Sequence, residues 1–176
     1  MSIKEHIYIK DSCILFDLID LDLVECFYNL DIQVVTTRQV IAEITDLNQI
    51  KAINHLISKE AICIDDQGEY EMILSIFQAN AGLSFADCSV IEVALRRGGI
   101  ILTSDNNLRK KAIGKQVNVK GMLWIINELI QKDILPIGDA ISKLALYPKI
   151  NNRAPKKEIA ILISKLTDEA TVKVNS

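Results

Sequence analysis

Histidine and paired cysteine are almost missing from this 176-residue sequence, and that removes several chemistries at once. It has 2 His, His6 and His55, and 4 Cys. Cys13, Cys26, Cys63 and Cys88 form no Cys-x-x-Cys pair and share no ligand spacing with the histidines. A zinc site or a disulfide framework is therefore excluded as an expectation, and the cysteines are expected to be reduced, buried, small apolar residues. With only 7 Gly, there is no glycine-rich phosphate loop of the Walker or dinucleotide type, and no Gly-x-Ser-x-Gly stretch marks a serine nucleophile. No apolar run approaches the roughly 20 residues of a membrane span. The start, MSIKEHIYIKDS, lacks the succession of a signal peptide. The sequence thus predicts one soluble, cytoplasmic domain with no membrane partner.

Basic residues are scarce too, but only in one half. Residues 1–95 carry 5 Lys and Arg against 16 Asp and Glu, whereas residues 96–176 carry 15 against 7. A net charge of -3 conceals two opposite halves. The acidic half suits metal ions and the basic half a phosphate backbone, while solvated helix faces give the same count.

Short apolar strands alternate with helical stretches. IYI (7–9), IQVVT (32–36), AICI (61–64), GIILT (99–103) and VNV (117–119) read as strands. CILFDLIDLDLVECFYN reads as one helix, TRQVIAEI opens a helix resuming through Ile57, and EYEMILSIFQAN and FADCSVIEVALRRG are two more. This alternation predicts an α/β fold with a mostly parallel sheet. From about Gly121 the pattern is wholly helical: GMLWIINELIQ, IGDAISKLALY and APKKEIAILISKL, the last two separated by a loop, YPKINNRAPKK. Ile137, Ile141, Leu144 and Ala145 share one helix face, and Ile159, Leu162, Ile163 and Leu166 repeat the spacing. Such faces need a covering surface: the chain itself, a second copy in a homodimer, or an inhibitor protein. The expected organisation is a domain over residues 1–132 and a helical extension, 133–176, packed on it.

In a parallel sheet, ligands bind outside the carboxyl ends of the strands. Asp11 follows IYIK and Asp105 follows IILTS. Asp87 starts the helix feeding the IILTS strand, and Glu43 lies in the first two turns of the helix leaving IQVVT. Singly, each acid has an ordinary structural explanation. Asp11 and Asp105 suit helix N-caps, Ser84 to Asp87 resembles a capping box, and Glu43 suits a solvated helix. Together they predict a convergence of four carboxylates at one edge. Clustered carboxylates need a cation, and oxygen-only ligands suit Mg2+ or Mn2+, whose chemistry with a phosphodiester is hydrolysis.

These residues resemble the PIN domains, small metal-dependent nucleases that include the toxin halves of bacterial toxin–antitoxin pairs. The resemblance is carried by IYIKDSCIL with Asp11, VVTTRQVIAEI with Glu43, GLSFADCSVIEVAL with Asp87 and GIILTSDNNLRKKA with Asp105, over roughly residues 6–130. It implies a three-layer α/β/α fold and an acidic tetrad binding one or two divalent ions for RNA cleavage. Ser12 and Thr103 match positions where such proteins place a small hydroxyl. An antitoxin-like protein inhibitor is the partner a toxin member would have. Arg109, Lys110 and Lys111, and the later Arg153, Lys156 and Lys157, are the expected phosphate contacts, with Ser12, Thr103, Arg109 and Lys110 assigned to substrate. The alternatives are a non-catalytic PIN-like module binding RNA or protein through its basic half, and a phosphatase-like hydrolase, which lacks its Asp-x-Asp pair here because Asp11 is followed by Ser12 and Cys13.

Overall fold

The computed structural model describes residues 6–9 and 12–174, with side chains described from residue 13 to residue 171. Asp11 therefore lies outside the described residues, as does the side chain of Ser12. The described residues cluster into two compact units. One holds those up to Phe16 together with Asp31–Gly121, the other Asp17–Leu30 together with everything from Met122 onward. The boundary at Gly121 coincides with the point where the sequence turns wholly helical.

The first unit contains a five-stranded sheet of β1 (His6–Ile9), β2 (Gln33–Thr37), β3 (Cys63–Asp65), β4 (Ile100–Leu102) and β5 (Asn118–Lys120), in the order β3-β2-β1-β4-β5. Every pairing is parallel; Tyr8 stands opposite Val35 on one side and Ile101 on the other. The α/β class is as expected. Each strand is only three to five residues long, and β4 is wholly apolar, with Ile100, Ile101 and Leu102 all buried. Because β2 and β3 lie on one flank of β1 and β4 and β5 on the other, the winding reverses between β1 and β4. The crevice outside their carboxyl ends is where such folds bind ligands.

Intervening helices are α1 (Ser12–Asp20), α2 (Val24–Tyr28), α3 (Arg38–Ala42), α4 (Leu47–Ser58), α5 (Tyr70–Ala79), α6 (Phe85–Arg97) and α7 (Asn106–Gly114). α6 is the spine of the first unit, packing against β1, β2 and β4 and against α3 and α5. Its residues Ala86 to Ala94 are buried without interruption, the mark of a helix covered all round. Burying Val90, Ile91 and Val93 contributes about 1.5–3 kcal/mol per side chain. The helix stops at Gly98, whose left-handed φ of 67° is reached there without a Cβ penalty.

The second unit is helical. It packs α2 against α8 (Met122–Gln131), α8 against α9 (Ile137–Ile150), and α9 against α10 (Lys156–Val174). Ile159 and Leu166 of the expected apolar face of α10 are buried, with Leu162 and Ile163 half-buried. On α9 the buried stripe is Ala140, Leu144 and Tyr147, and Ala145 is exposed, a correction to the face read from sequence. Asp17 lies within this unit at 6% exposure, and its Oδ2 accepts from Tyr147 Oη at 3.0 Å and from Asn151 Nδ2 at 2.9 Å.

Three local expectations are corrected. The single helix expected over residues 13–29 is two, because the chain turns at Leu21–Leu23 with Asp22 at a φ of 53°. α9 runs through Pro148 to Ile150, where the sequence predicts a loop from Tyr147 onward. The cysteines are all free, but only Cys88 is buried; Cys13 is exposed, and Cys26 and Cys63 are half-buried.

Candidate functional site

Asp105 is the N-cap of α7. Its Oδ1 accepts from the amides of Asn107 at 2.8 Å and Leu108 at 2.9 Å, which satisfies two of the orphan donors of the first turn. Thr103, fully buried at the end of β4, turns the chain into this cap: its Oγ1 accepts from the Asp105 amide at 2.9 Å. The sequence places a carboxylate immediately after a buried strand because a helix starts there and needs an acceptor.

Asp87 holds the start of α6 in a reciprocal box. Its Oδ2 accepts from the Ser84 amide at 2.8 Å while Ser84 Oγ accepts from the Asp87 amide at 3.1 Å. At 6% exposure this carboxylate is far more enclosed than an ordinary capping residue. The capping roles foreseen for Asp87 and Asp105 are thus present, and each holds one carboxylate oxygen on backbone amides.

The two helix starts are neighbours in space. Asn107, in the first turn of α7, donates from Nδ2 to the carbonyl of Gly82 at 2.7 Å, two residues before the N-cap of α6. Asp87 and Asp105, 18 positions apart in sequence, thereby cap adjacent helix ends at the carboxyl side of β4.

Glu43 is placed differently. Thr37 at the end of β2 caps α3 by accepting from the Val40 amide at 3.2 Å, and Glu43 is the exposed C-cap residue of that five-residue helix. A link to α6 does exist on this side: Thr37 Oγ1 and Ser89 Oγ are 2.7 Å apart, with Ser89 donating to the Ala86 carbonyl at 2.7 Å. The Thr37 hydroxyl therefore donates to Ser89. Among the described residues no group of three or more His, Cys, Asp or Glu stands close enough to hold a metal ion. Of the described members of the tetrad, Asp87 and Asp105 stand at two helix starts joined through Asn107 and Gly82, and Glu43 stands at the end of α3.

The basic residues divide as well. Arg109 of α7 donates to the carbonyls of Thr103 at 2.9 Å, Lys120 at 3.3 Å and Val119 at 3.4 Å, tying the helix to the ends of β4 and β5. A Cβ at Gly121 would sit 3.2 Å from Arg109 Nη2, so the guanidinium would have to shift by a few tenths of an ångström to accept one. Lys110 is exposed on the same helix.

A second group of acids escapes a reading by motif. Asp65, ending β3 at 8% exposure, accepts from Arg96 Nη2 at 2.8 Å and Arg97 Nη1 at 2.9 Å; Glu92, at 2% exposure, accepts from Arg96 Nε at 2.7 Å. Burial acts to raise the Asp65 pKa, but the hydrogen bonds from Arg96 and Arg97, the Arg96 charge and the Gln67 amide together hold it below its ordinary value. Hydrogen bonding to Glu92, followed by that to Asp65, raises the Arg96 pKa against its own desolvation. The only sequence signal was Glu92 and Arg96 at helical i, i+4 spacing; Asp65 is 31 residues from Arg96. Next to Asp87, burial and then the Asp87 charge push the Cys88 thiol up to about 11, so it is no nucleophile at neutral pH.

Oxygen donors alone, on a carboxylate pair fixed by backbone amides, fit a hard divalent cation such as Mg2+ or Mn2+ and offer nothing to a softer one. No described helix is long and apolar enough to cross a membrane.

Comparison with known proteins agrees with this architecture. The crystal structure of PAE2754 from Pyrobaculum aerophilum superposes with a TM-score of 0.51 at 17% identity, covering 73% of this chain and 98% of that one, a likeness of fold. No curated protein matches the sequence. The DUF3368 family, a PIN domain, matches residues 7–167, most of the chain. The chain therefore belongs to the PIN-domain family, whose members are usually nucleases and typically depend on divalent metal.

Proposed function

We propose that the protein is a divalent-metal-dependent endoribonuclease. The observation that supports the reading is the hydrogen bond from Asn107 to Gly82, which joins the starts of α6 and α7, the two helix ends that carry Asp87 and Asp105. Asp87 and Asp105 would hold Mg2+ or Mn2+, with Asp11 and Glu43 completing the acidic set. When bound, the ion lowers the pKa of a coordinated water and offsets charge developing on the phosphate. The chain's own residues orient and bind. Ser84 aims Asp87, Thr103 shapes the turn that presents Asp105, and Arg109 fixes α7 against the strand ends. Lys110, exposed one residue further along α7, meets the phosphate backbone. Ser12, next to Asp11, adds a hydroxyl donor to the substrate.

The reading extends to a toxin of a toxin–antitoxin pair held in check by an antitoxin-like inhibitor, cytoplasmic in location. Induced expression in cells is then expected to arrest growth, and Asp105→Asn to relieve the arrest. The direct test is incubation of the purified chain with mixed cellular RNA, with and without Mn2+, followed by mapping of cut sites. Discrete internal cuts appearing only with Mn2+ are expected. Intact RNA under all conditions, with RNA binding retained, would favour a non-catalytic PIN-like module working through the basic residues of the second half.

A further inference from the structure

The bond between Asn107 and Gly82 has more reach than its exposure suggests. Asn107 bonds one carboxylate directly and is linked to the other through the Gly82–Ser84 backbone. Its backbone amide donates to Asp105 Oδ1 at 2.8 Å, and its side-chain amide donates to the Gly82 carbonyl at 2.7 Å. Two residues after Gly82, the Ser84 amide donates to Asp87 Oδ2 at 2.8 Å. A continuous run therefore leads from one carboxylate to the other: Asp105, Asn107, Gly82, Ser84, Asp87.

The two ends of this run are anchored unequally. α7 is set by the buried Leu108 and Ala112 and by the grip of Arg109 on three strand-end carbonyls. In the segment before α6, Ala81 and Gly82 are exposed, Leu83 is buried, and the backbone bond from Leu83 to Asn80 is a longer 3.3 Å. The backbone at Gly82 has a φ of 87°, and a Cβ there would lie 3.2 Å from Asn107 Nδ2. Glycine is thus needed twice, for the conformation and for the approach of the amide. The Asn107 bond thus ties α7 to the exposed turn at Gly82, between the buried Leu108 of one helix start and the buried Leu83 that precedes the Ser84 amide of the other.

We propose that Asn107 is a positioning residue that sets the spacing of Asp87 and Asp105 by latching its side-chain amide onto the Gly82 carbonyl. The proposal rests on the reading above, in which these carboxylates share a cation. Carbonyl oxygen accepts only, so the latch requires the donor end of the amide. Asn107→Leu keeps the size and removes the donor; Asn107→Gln keeps the donor on a longer arm. An exposed hydrogen bond contributes little to global stability, whereas outer-shell supports change metal affinity by roughly ten- to a hundredfold.

The test is Mn2+ binding to the full chain, read by the loss of the free-ion electron paramagnetic resonance signal, alongside thermal melting in chelator. Wild type is expected to bind. Asn107→Leu is expected to bind roughly tenfold more weakly or worse, with its melting point in chelator unchanged, and Asn107→Gln to recover part of the loss. In the same samples the Ser84 amide is expected to exchange hydrogen faster in Asn107→Leu. Equal Mn2+ affinity in wild type and Asn107→Leu would overturn the latch and leave the metal reading intact. A drop in melting point that accounts for the lost affinity would overturn the positioning role in favour of a plain structural bond. No Mn2+ binding by wild type would overturn the metal reading and the latch with it.

Discussion

Two groups of acids each include a buried member of α6, and they are built on opposite principles. Asp65 and Glu92 meet two guanidinium groups at 2.7–2.9 Å, a network in which each charge depends on its partners. Asp87 and Asp105 are aimed by backbone amides at the starts of two helices, where the acceptor oxygen matters to the cap and the charge does not. Removing charge should therefore damage the fold at the first group and the chemistry at the second. Acids in one small domain are not interchangeable evidence for a site; their donors tell them apart.

The largest expected effect lies at the amide-held pair. Asp105→Asn preserves the cap, so stability should stay within about 0.5 kcal/mol. RNA cleavage should nevertheless fall by at least about a hundredfold, since even an outer-shell support of a metal is worth up to that much. Asp87→Asn should behave alike, its amide oxygen still accepting from Ser84. Single-turnover cleavage and chemical denaturation check both halves of the claim.

Next comes the arginine-held group. Arg96→Ala leaves Glu92 and part of Asp65 buried without their cation and is expected to cost about 3 kcal/mol. The sign of the pH dependence follows from the depressed Asp65 pKa. The stability it contributes is present above the ordinary carboxylate value of 3.8 and is lost as pH falls through the lower folded value. Asp65→Asn should be less stable than wild type at neutral pH, and the gap should close in the acid range below 3.8. A gap that stays constant with pH would dissolve the distinction between the groups.

Smaller still is the polar knot of the second unit. Tyr147→Phe removes one donor from the enclosed Asp17 and should cost about 1.5–3 kcal/mol, the range for a hydrogen bond to a charged group. A chain ending at residue 132 loses Tyr147 and Asn151 together, and is expected to aggregate or melt earlier; the same melting point as the full chain would contradict an integral role for residues 133–176.

The smallest effect separates two adjacent basic residues. Lys110→Ala should flatten the log–log salt dependence of RNA binding by nearly one unit without altering stability. Arg109→Ala, which unties α7 from Thr103, Val119 and Lys120, should lower stability first. Identical behaviour of the two variants would contradict that division.

The strands were legible because short apolar stretches such as IYI, AICI and IIL between turn signals leave few other readings, and all five fall within two residues of their expected limits. Asp87 and Asp105 were legible for the same local reason: a capping pattern and a strand end are written in consecutive residues. What depends on distant partners was not. The Asn107 bond spans 25 residues and the Arg97 bond to Asp65 spans 32, and neither leaves a periodic trace. The break at Leu21–Leu23 was hidden because Leu and Asp alternate there in a pattern that a helix also tolerates, and tertiary packing decides the turn. Glu43 had a correct motif neighbourhood, yet a five-residue helix ending in an exposed C-cap leaves its distance from Asp87 and Asp105 to the fold.

The most direct measurement of the central claim is Mn2+-dependent cleavage of a single-stranded RNA by wild type and Asp105→Asn, at protein concentrations matched by folded fraction. Cleavage by wild type that vanishes in chelator, and a folded Asp105→Asn protein reduced by at least about a hundredfold, is the predicted result. A folded Asp105→Asn protein that cleaves as fast as wild type would contradict the account, leaving Asp105 as a helix cap alone.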